Sequence, residues 1–274
     1  MQRFDEPLVL VGAGKMGGAL LSGWLAQGLS PANVFIRDPN PPADMAQLVA
    51  EKGLTLNLSV EETAARRPRI VVLAVKPQIM DAVLPELRPL VAPGTLFLSI
   101  AAGVSLQALG DHLGPEAAIV RAMPNTPSSV GKGITAAFGN ALVSDADRDT
   151  CTHLLRAVGE AVWLEQENQM DAVTALSGSG PAYVFALAEC MAAAGEAMGL
   201  DPALAKKLAR ATVAGAGKML EELPDDPSVL RQNVTSPGGT TAAALDVLLG
   251  SDGLGQLMRG TMNAARARSR ELSK

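Results

Sequence analysis

Three glycines near the start of the chain have a spacing that brings backbone close to a phosphate group. Gly12, Gly14 and Gly17 follow the apolar run Leu8–Val11 and open a segment with helical periodicity. In a strand-turn-helix unit, such glycines permit a tight turn, let the backbone approach a pyrophosphate, and let helix and strand pack closely. Free N–H groups at the helix start then bind the phosphates. The pattern predicts a dinucleotide site, and the alternative is a glycine turn in an α/β protein that binds no nucleotide.

Two charged residues after the next apolar run bear on the choice of dinucleotide. Arg37 and Asp38 directly follow Ile36. At this place a carboxylate binds the adenosine ribose diol, whereas a cation accepts the 2′-phosphate of NADPH. Because Arg37 takes the position nearest the strand end, where NAD-binding proteins usually carry the carboxylate, the sequence favours NADPH, with NADH as the alternative. A surface ion pair between Arg37 and Asp38 would instead give neither of them a role.

Two further predicted strand ends carry polar groups. Lys76 ends the third strand at its carboxyl edge, where open parallel sheets bind ligands. It is either a catalytic ammonium or a plain strand-end charge, and its neighbours favour a role in the site. Asn125 lies in a loop that Pro124 and Pro127 stiffen. Its side-chain amide can donate and accept hydrogen bonds at once, which suits it to hold a nicotinamide or a neighbouring loop. The residues assigned to the cofactor site so far are Gly12, Ala13, Gly14, Lys15, Met16, Gly17, Arg37, Asp38, Ala74, Val75, Lys76, Pro77 and Asn125.

Alternating strand and helix patterns position these residues. From Leu8 to about Leu164 the series is typical of parallel strands joined by crossover helices, and after Glu165 only helical spacing of Ala, Met and Leu appears. The sequence therefore predicts an α/β protein with a Rossmann-like dinucleotide-binding domain, residues 1–165, followed by an all-helical domain, residues 166–274. The predicted strands are Leu8–Val11, Val34–Ile36, Ile70–Val75, Leu96–Ile100, Ala118–Ala122, Ile134–Phe138 and Ala161–Leu164. The predicted helices of the first domain are Met16–Gln27, Ala43–Glu51, Ile79–Leu87, Leu106–His112 and Asp145–Val158.

The apolar composition of the helical half predicts that the protein self-associates. Pro202 after Asp201 and Pro227 after Asp226 are each typical of a helix start. The stretches 181–198 and 204–220 are apolar or small nearly all round, which a layer of about 110 residues cannot bury by itself. We therefore expect a homodimer formed through this half.

Two turns in the helical half combine hydroxyl groups with permissive backbone. They are the stretches 177–183, Ser-Gly-Ser-Gly-Pro-Ala-Tyr, and 236–241, Ser-Pro-Gly-Gly-Thr-Thr. Each precedes a predicted helix, whose N-terminus can bind an anion such as a substrate carboxylate. Either turn alone can equally be a helix cap. Their joint presence favours binding, because two glycines followed by two threonines are more permissive than a cap requires.

Composition limits the classes of partner. The chain has 274 residues, 48% hydrophobic and 19% charged, with a formal net charge of −5, so no basic field is available for nucleic acid or an acidic membrane. Cys151 and Cys190 lie far apart without ligand spacing, so neither a metal site nor a disulfide is expected. The apolar stretch 181–195 contains Glu189 and is too short to span a bilayer. Without a secretory pattern at the start, the prediction is a cytoplasmic protein.

Taken in order along the chain, these motifs resemble pyrroline-5-carboxylate reductase. The first two are shared with the wider group of 3-hydroxyacid dehydrogenase-like enzymes, whereas the last two are highly specific. The matching strings are Gly-Ala-Gly-Lys-Met-Gly (12–17), Ala-Val-Lys-Pro (74–77), Ala-Ala-Gly-Val (101–104), Met-Pro-Asn-Thr-Pro (123–127), Leu-Ser-Gly-Ser-Gly-Pro-Ala-Tyr (176–183) and Asn-Val-Thr-Ser-Pro-Gly-Gly-Thr-Thr (233–241).

The resemblance implies a reaction and a substrate site. It implies reduction of the ring C=N of 1-pyrroline-5-carboxylate to L-proline by NAD(P)H, in a dimer whose helical domains exchange contacts and which often assembles into a ring. It adds Ala102 to the cofactor site, and Glu167 to the substrate site on a weaker match. The Arg37-Asp38 pair departs from the family pattern in a variable segment, which bears on cofactor preference. The remaining substrate residues implied are Asn233, Ser236, Gly238, Gly239, Thr240 and Thr241.

The chemistry of an imine fits a chain with few acid-base groups. A ring nitrogen of this kind is basic enough to be protonated in the site, so the protein chiefly has to place it. Thr241 is the candidate hydrogen-bond donor to that nitrogen, directly or through water. His112 and His153 both fall in predicted helices away from the motifs, whereas a 2-hydroxyacid dehydrogenase needs a placed acid-base group. The alternatives are a 3-hydroxyacid dehydrogenase-like enzyme with a catalytic lysine, and a non-catalytic NAD(P)-sensing regulator.

Overall fold

The chain divides into two compact units. The computed structural model describes residues 4–272 of the 274. The first unit comprises the described residues up to Gly178 and those from Arg266, and the second unit is Ser179–Ala265. These units are defined by compactness and not by what they bind. The division of function at residues 165 and 166 therefore stays a prediction.

The first unit is built on one eight-stranded sheet with strand order β3-β2-β1-β4-β5-β6-β7-β8. The strands β1 to β6 are parallel, which confirms the predicted Rossmann-type architecture. Their apolar runs are buried on both faces, as parallel strands covered by helices require. The strands are β1 (Leu8–Val11), β2 (Val34–Arg37), β3 (Thr55–Leu56), β4 (Ile70–Leu73), β5 (Leu96–Ser99), β6 (Ala118–Met123), β7 (Gly133–Gly139) and β8 (Gly159–Trp163).

Helices cover the two faces of this sheet and give two hydrophobic cores. One core contains Leu20 and Trp24, and the other contains Leu84 and Leu109. The indole N–H of Trp24 donates to the buried carbonyl of Leu154 at 2.8 Å, so this large side chain is buried without an unpaired donor. The helices are α1 (Lys15–Ala26), α2 (Ala43–Lys52), α3 (Val60–Ala65), α4 (Met80–Leu87), α5 (Leu106–Leu113), α6 (Asp145–Leu155) and α7 (Met170–Val173), with a π-helical turn at Thr174–Gly178.

Two short elements were missing from the sequence prediction. The strand β3 has two half-buried residues, too few to show alternation, and α3 has six. The capping box at the start of α3 was a usable signal, because Ser59 accepts from Glu62 N and the Glu62 side chain accepts from Ser59 N. Two elements end earlier than predicted. The third predicted strand stops at Leu73 and not at Val75, and the last predicted helix of the domain stops at Leu155 and not at Val158.

The direction of β7 corrects the expectation of an all-parallel sheet. It pairs antiparallel with β6, whereas β8 pairs parallel with β7. The link between β6 and β7 is a 3₁₀ turn at Thr126–Val130 followed by Gly131 at φ +70°. A parallel crossover needs a dozen or more residues, so this short link can only reverse the chain.

The second unit contains only helices among its described residues. Asp201 accepts from Ala203 N and Leu204 N, and Asp226 accepts from Ser228 N, which confirms both predicted Asp-Pro helix starts. No helix between residues 4 and 272 is long and apolar enough to cross a membrane. The helices are α8 (Gly180–Ala197), α9 (Pro202–Glu222), α10 (Pro227–Asn233), α11 (Thr240–Leu248) and α12 (Leu254–Leu272), the last of which belongs to the first unit from Arg266 onward.

Candidate active site

The glycine loop packs backbone against backbone in a space that excludes side chains. Gly12 has φ +91°, and a Cβ added there would lie 2.8 Å from the Ala74 carbonyl oxygen. A Cβ at Gly17 would overlap the carbonyl oxygen of Gly12. By contrast, a Cβ at Gly14 would meet nothing within 4 Å. The first and third glycines are therefore needed for packing, and the second leaves room for a ligand to approach the backbone.

The start of α1 is open to an anion. Gly14 is its N-cap, no side chain caps it, and its first turn contains no acidic residue. The first hydrogen bond of the helix runs from Gly18 N to Gly14 O at 2.7 Å, so the amides before Gly18 point out of the helix end. Lys15 is exposed and Met16 is half-buried. These groups fit a dinucleotide pyrophosphate, which needs N–H donors and a positive helix end.

Arg37 and Asp38 bind different partners and do not pair with each other. The Asp38 carboxylate accepts from Ala13 N at 2.7 Å, and its other oxygen accepts from Asn40 N at 2.9 Å. The Arg37 guanidinium donates to Leu58 O at 2.9 Å and lies 3.3 Å from the Glu86 carboxylate. The surface pair considered from the sequence is thus not formed. Asp38 thus contacts the glycine loop and occupies the position from which an acidic residue of this fold hydrogen-bonds a ribose hydroxyl.

The other predicted cofactor residues of the first unit follow the ends of β4, β5 and β6. Ala74 and Val75 are half-buried, whereas Lys76, Pro77 and Ala102 are exposed. Lys76 precedes the 3₁₀ turn Pro77–Ile79 and has extended backbone angles. These five residues are exposed or half-buried at the carboxyl edge of the sheet, where ligands bind in this fold, whereas Asn125 after β6 is buried.

Asn125 holds neighbouring loops together. Its amide nitrogen donates to Ser177 O at 3.1 Å, and its amide oxygen accepts from Ile134 N at 2.9 Å. The residue is 9% exposed. Of the two roles considered from the sequence, the structure contains the loop contact, while a nicotinamide contact stays a prediction.

Glu167 lies in a charged contact that the sequence did not reveal. One of its carboxylate oxygens accepts from Arg121 Nη1 at 3.0 Å and from Leu106 N at 2.9 Å. Arg121 is 5% exposed within β6. The available signal was an arginine inside an otherwise apolar strand, because such a cation is buried only when it is paired.

The predicted substrate residues of the second unit form an exposed turn before α11. Gly239 N donates to Ser236 O at 3.0 Å, which closes the turn, and Gly238 has φ +69°. Gly239 is the N-cap of α11, with no side-chain cap and no acidic residue in the first turn. Thr240 is exposed and Thr241 is half-buried. This helix start therefore offers free amides and two hydroxyl groups to an anion.

The other hydroxyl-rich turn differs from the turn before α11 because its backbone is already helical. Ser179 already has helical backbone angles, φ −86° and ψ −20°, and its hydroxyl caps no N–H group. The Ser177 hydroxyl donates to Val173 O inside the π-helical turn. The sequence predicted a helix start here, whereas the π-helical turn runs through Ser179 into α8, and anion binding at this turn stays a prediction. Asn233, the last residue of α10, is exposed and precedes the open turn.

A doubly wound sheet with an open glycine loop, and a helical unit with an open threonine-rich helix start, define a dinucleotide-dependent oxidoreductase. Comparison with known proteins narrows this class. A family profile described as "Pyrroline-5-carboxylate reductase dimerisation" matches residues 167–272, and one described as "NADP oxidoreductase coenzyme F420-dependent" matches residues 7–103.

Individual relatives match nearly the whole chain. The pyrroline-5-carboxylate reductase of Pseudomonas aeruginosa is 41% identical over 266 residues, covering 97% of this chain and 96% of its own. The solved pyrroline-5-carboxylate reductase of Coxiella burnetii superposes with a TM-score of 0.91 at 36% identity, covering 98% and 99% of the two chains. The Plasmodium falciparum pyrroline carboxylate reductase, solved with NADP bound, superposes with a TM-score of 0.83 at 30% identity over 100% of both chains. The chain belongs to the pyrroline-5-carboxylate reductase family.

Proposed function

We propose that this protein reduces 1-pyrroline-5-carboxylate to L-proline with NADPH, the last step of proline biosynthesis, in the cytoplasm. The observation that carries the proposal is the uncapped start of α11, where unpaired amides lie next to the exposed Thr240 and the half-buried Thr241. A small anionic ring has the size and charge for such a helix end. In this proposal residues 1–165 bind the cofactor, and residues 166–274 bind the substrate and dimerise.

The turn before α11 binds the substrate carboxylate. Ser236, Gly238 and Gly239 shape its backbone, and the amides at the start of α11 donate to the carboxylate oxygens. The N–H of the protonated ring nitrogen donates to the hydroxyl oxygen of Thr241, which reverses the donor role expected from the sequence, while Thr240 and Asn233 contact the ring. Because the bound imine is already protonated and electrophilic, positioning accounts for most of the catalysis and no strong general acid is needed.

The first unit binds the dinucleotide, which supplies the hydride when bound. The amides of the loop 12–17 donate to the pyrophosphate, Asp38 contacts the adenosine ribose, and Arg37 contacts the 2′-phosphate. Arg37 must exchange its contact with Glu86, an exposed carboxylate, for the phosphate. The exposed Lys76 adds a positive charge at the same edge of the sheet. The residues left to orient the nicotinamide end are Ala74, Val75, Pro77, Ala102 and Asn125.

The alternative with a catalytic lysine is disfavoured by the lysines of the helical unit. Lys206 and Lys207 are exposed on α9. Hydrogen bonds to Glu221 and Glu222 raise the pKa of the Lys218 ammonium. A lysine that acts as a base at neutral pH needs a lowered pKa, so Lys218 is in the wrong environment. A non-catalytic NAD(P) sensor binds no substrate, so this alternative gives the open start of α11 no role.

Exposed apolar side chains support a homodimer formed through the helical unit. In α8, Val184, Phe185 and Leu187 are 46%, 62% and 48% exposed in the single chain. In α9, Leu204 and Leu208 are 45% and 49% exposed. Large apolar side chains exposed on two neighbouring helices are typical of a protein–protein interface. A second copy covers them in this proposal, and further assembly of dimers is consistent with the family resemblance.

An activity assay tests the function. Purified protein should oxidise NADPH when given 1-pyrroline-5-carboxylate and should form proline, but should do neither with a 2-keto or 3-keto acid. Thr241→Ala should lower kcat/KM for the imine about tenfold, because one hydrogen bond to the ring is lost, with nearly unchanged NADPH binding. Thr241→Ser is the matched control and should retain most activity. Equal loss of NADPH binding in Thr241→Ala would show that this residue is misplaced, and turnover of a keto acid alone would refute the proposed function.

Cofactor selectivity tests the position of Arg37. Arg37→Ala should lower the ratio of kcat/KM for NADPH to kcat/KM for NADH about tenfold, because a charge-assisted contact to the 2′-phosphate is removed. Arg88→Ala removes the same charge from an exposed position after α4 and should leave the ratio unchanged. An unchanged ratio in Arg37→Ala would exclude Arg37 from the 2′-phosphate site.

Light scattering tests the dimer. The protein in solution should have at least twice the mass of one chain. Phe185→Glu should weaken the association, because it puts a charge on the apolar face of α8, whereas Leu142→Glu, which changes an exposed residue of the first unit, should not. A monomer at micromolar concentration would contradict the burial argument.

A further inference from the structure

Arg121 is a buried cation that the proposed reaction does not use. It lies in β6 next to Ser99 of β5 and Phe138 of β7. Side chains alternate along a strand, so Arg121 faces the same side of the sheet as Ile119, toward the core that α4 and α5 cover. A guanidinium in such surroundings is retained only when a partner compensates its desolvation. Its partner therefore shows what the buried charge does.

The partner is Glu167, and one of its oxygen atoms links its own segment to two others that are distant in sequence. Glu167 Oε1 accepts from Arg121 Nη1 at 3.0 Å and from Leu106 N at 2.9 Å. Leu106 is the first residue of α5, and Glu167 follows β8. The side chain of Glu167 is 29% exposed, whereas that of Arg121 is 6% exposed. The buried Arg121 thus holds the partly exposed Glu167 carboxylate in place.

The segment before α5 is held at a second point. Gly103 has φ +74°, and a Cβ there would lie 3.2 Å from Leu272 O. Ser105 caps α5 through Ala108 N at 3.1 Å. Between these anchors and β5 lies Ala102, which is exposed and assigned to the cofactor site. The contact of Glu167 with Leu106 N therefore fixes the helix end next to a predicted nicotinamide-binding loop.

We propose that Arg121 is a positioning residue for imine reduction. It touches neither substrate nor cofactor. Through its ion pair it holds the Glu167 carboxylate in one orientation, and through Glu167 it holds the loop 100–105 at the start of α5. Without the guanidinium, the Glu167 side chain is free to leave Leu106 N for water. The inference rests on the proposed function, because it assigns Glu167 and Ala102 to the site of that reaction.

A second ion pair of the same unit provides the matched control. Arg69 contacts Asp147 at 2.8 Å, and their side chains are 17% and 13% exposed. Arg69 directly precedes β4 and also donates to Gly94 O, so it lies at the amino edge of the sheet, away from the assigned cofactor residues. Arg69→Met removes a similar charge and similar hydrogen bonds. It therefore reports the effect of general destabilisation on activity.

The test is a double-mutant cycle on kcat/KM for 1-pyrroline-5-carboxylate, with melting temperatures measured alongside. Arg121→Met and Glu167→Gln should each lower kcat/KM at least about tenfold, because small displacements of positioning groups have large kinetic effects. The double variant should stay within about twofold of Arg121→Met, because the two residues act as one unit. Arg121→Lys should restore part of the loss. Arg69→Met should melt earlier but keep kcat/KM within about twofold of wild type.

Each outcome separates this inference from the proposed function. Wild-type protein without NADPH-dependent imine reduction would refute both. Active wild type, with Arg121→Met no worse than Arg69→Met or with losses that multiply in the double variant, would overturn only the role of Arg121. Should Arg121→Met fail to fold, Arg121→Lys replaces it in the cycle. The double variant Arg121→Lys, Glu167→Gln should then stay within about twofold of Glu167→Gln, and multiplied losses would again overturn the proposal.

Discussion

The close approach of backbone at the ends of β1 and β4 is the constraint on which the first unit depends. Ala74 N donates to Val11 O at 2.7 Å, and Gly12 N donates to Arg37 O at 2.9 Å, so the turn after β1 is bonded to both neighbouring strands. No side chain fits at Gly12 or Gly17 in this arrangement. The same geometry points the start of α1 out of the sheet edge. Strand packing and the approach of a cofactor to the backbone therefore both require residues without side chains in this loop.

Much of this architecture could be predicted because it has a local pattern. The glycine loop, the apolar strands and the Asp-Pro helix starts all have signatures that span a few residues, and the structure contains each of them. The direction of β7 was predicted wrongly, although the length of the link after β6 already excluded a parallel crossover. The strand β3 has only two residues, too few for any periodic pattern.

The contacts of the candidate site were harder to predict because they join residues far apart in sequence. Nothing local shows that Arg37 contacts Leu58 and Glu86, or that Asp38 contacts the glycine loop. The pairing of Arg121 with Glu167 spans 46 residues and depends on how β6, α5 and the segment after β8 meet. The similar hydroxyl-rich turns at 177–183 and 236–241 also differ for a non-local reason. One continues a π-helical turn into α8, whereas the other reaches α11 through Gly239, whose backbone is extended.

Substrate recognition in the helical unit depends on the imine carboxylate binding at the start of α11, because Asn233 and Thr240 contact only the ring. A crystal structure of the full chain with L-proline, the product, measures this directly. We expect proline with its carboxylate within hydrogen-bond distance of the backbone amides at residues 240–242 and its ring nitrogen near the Thr241 hydroxyl. Proline bound elsewhere, with that turn empty, would contradict it.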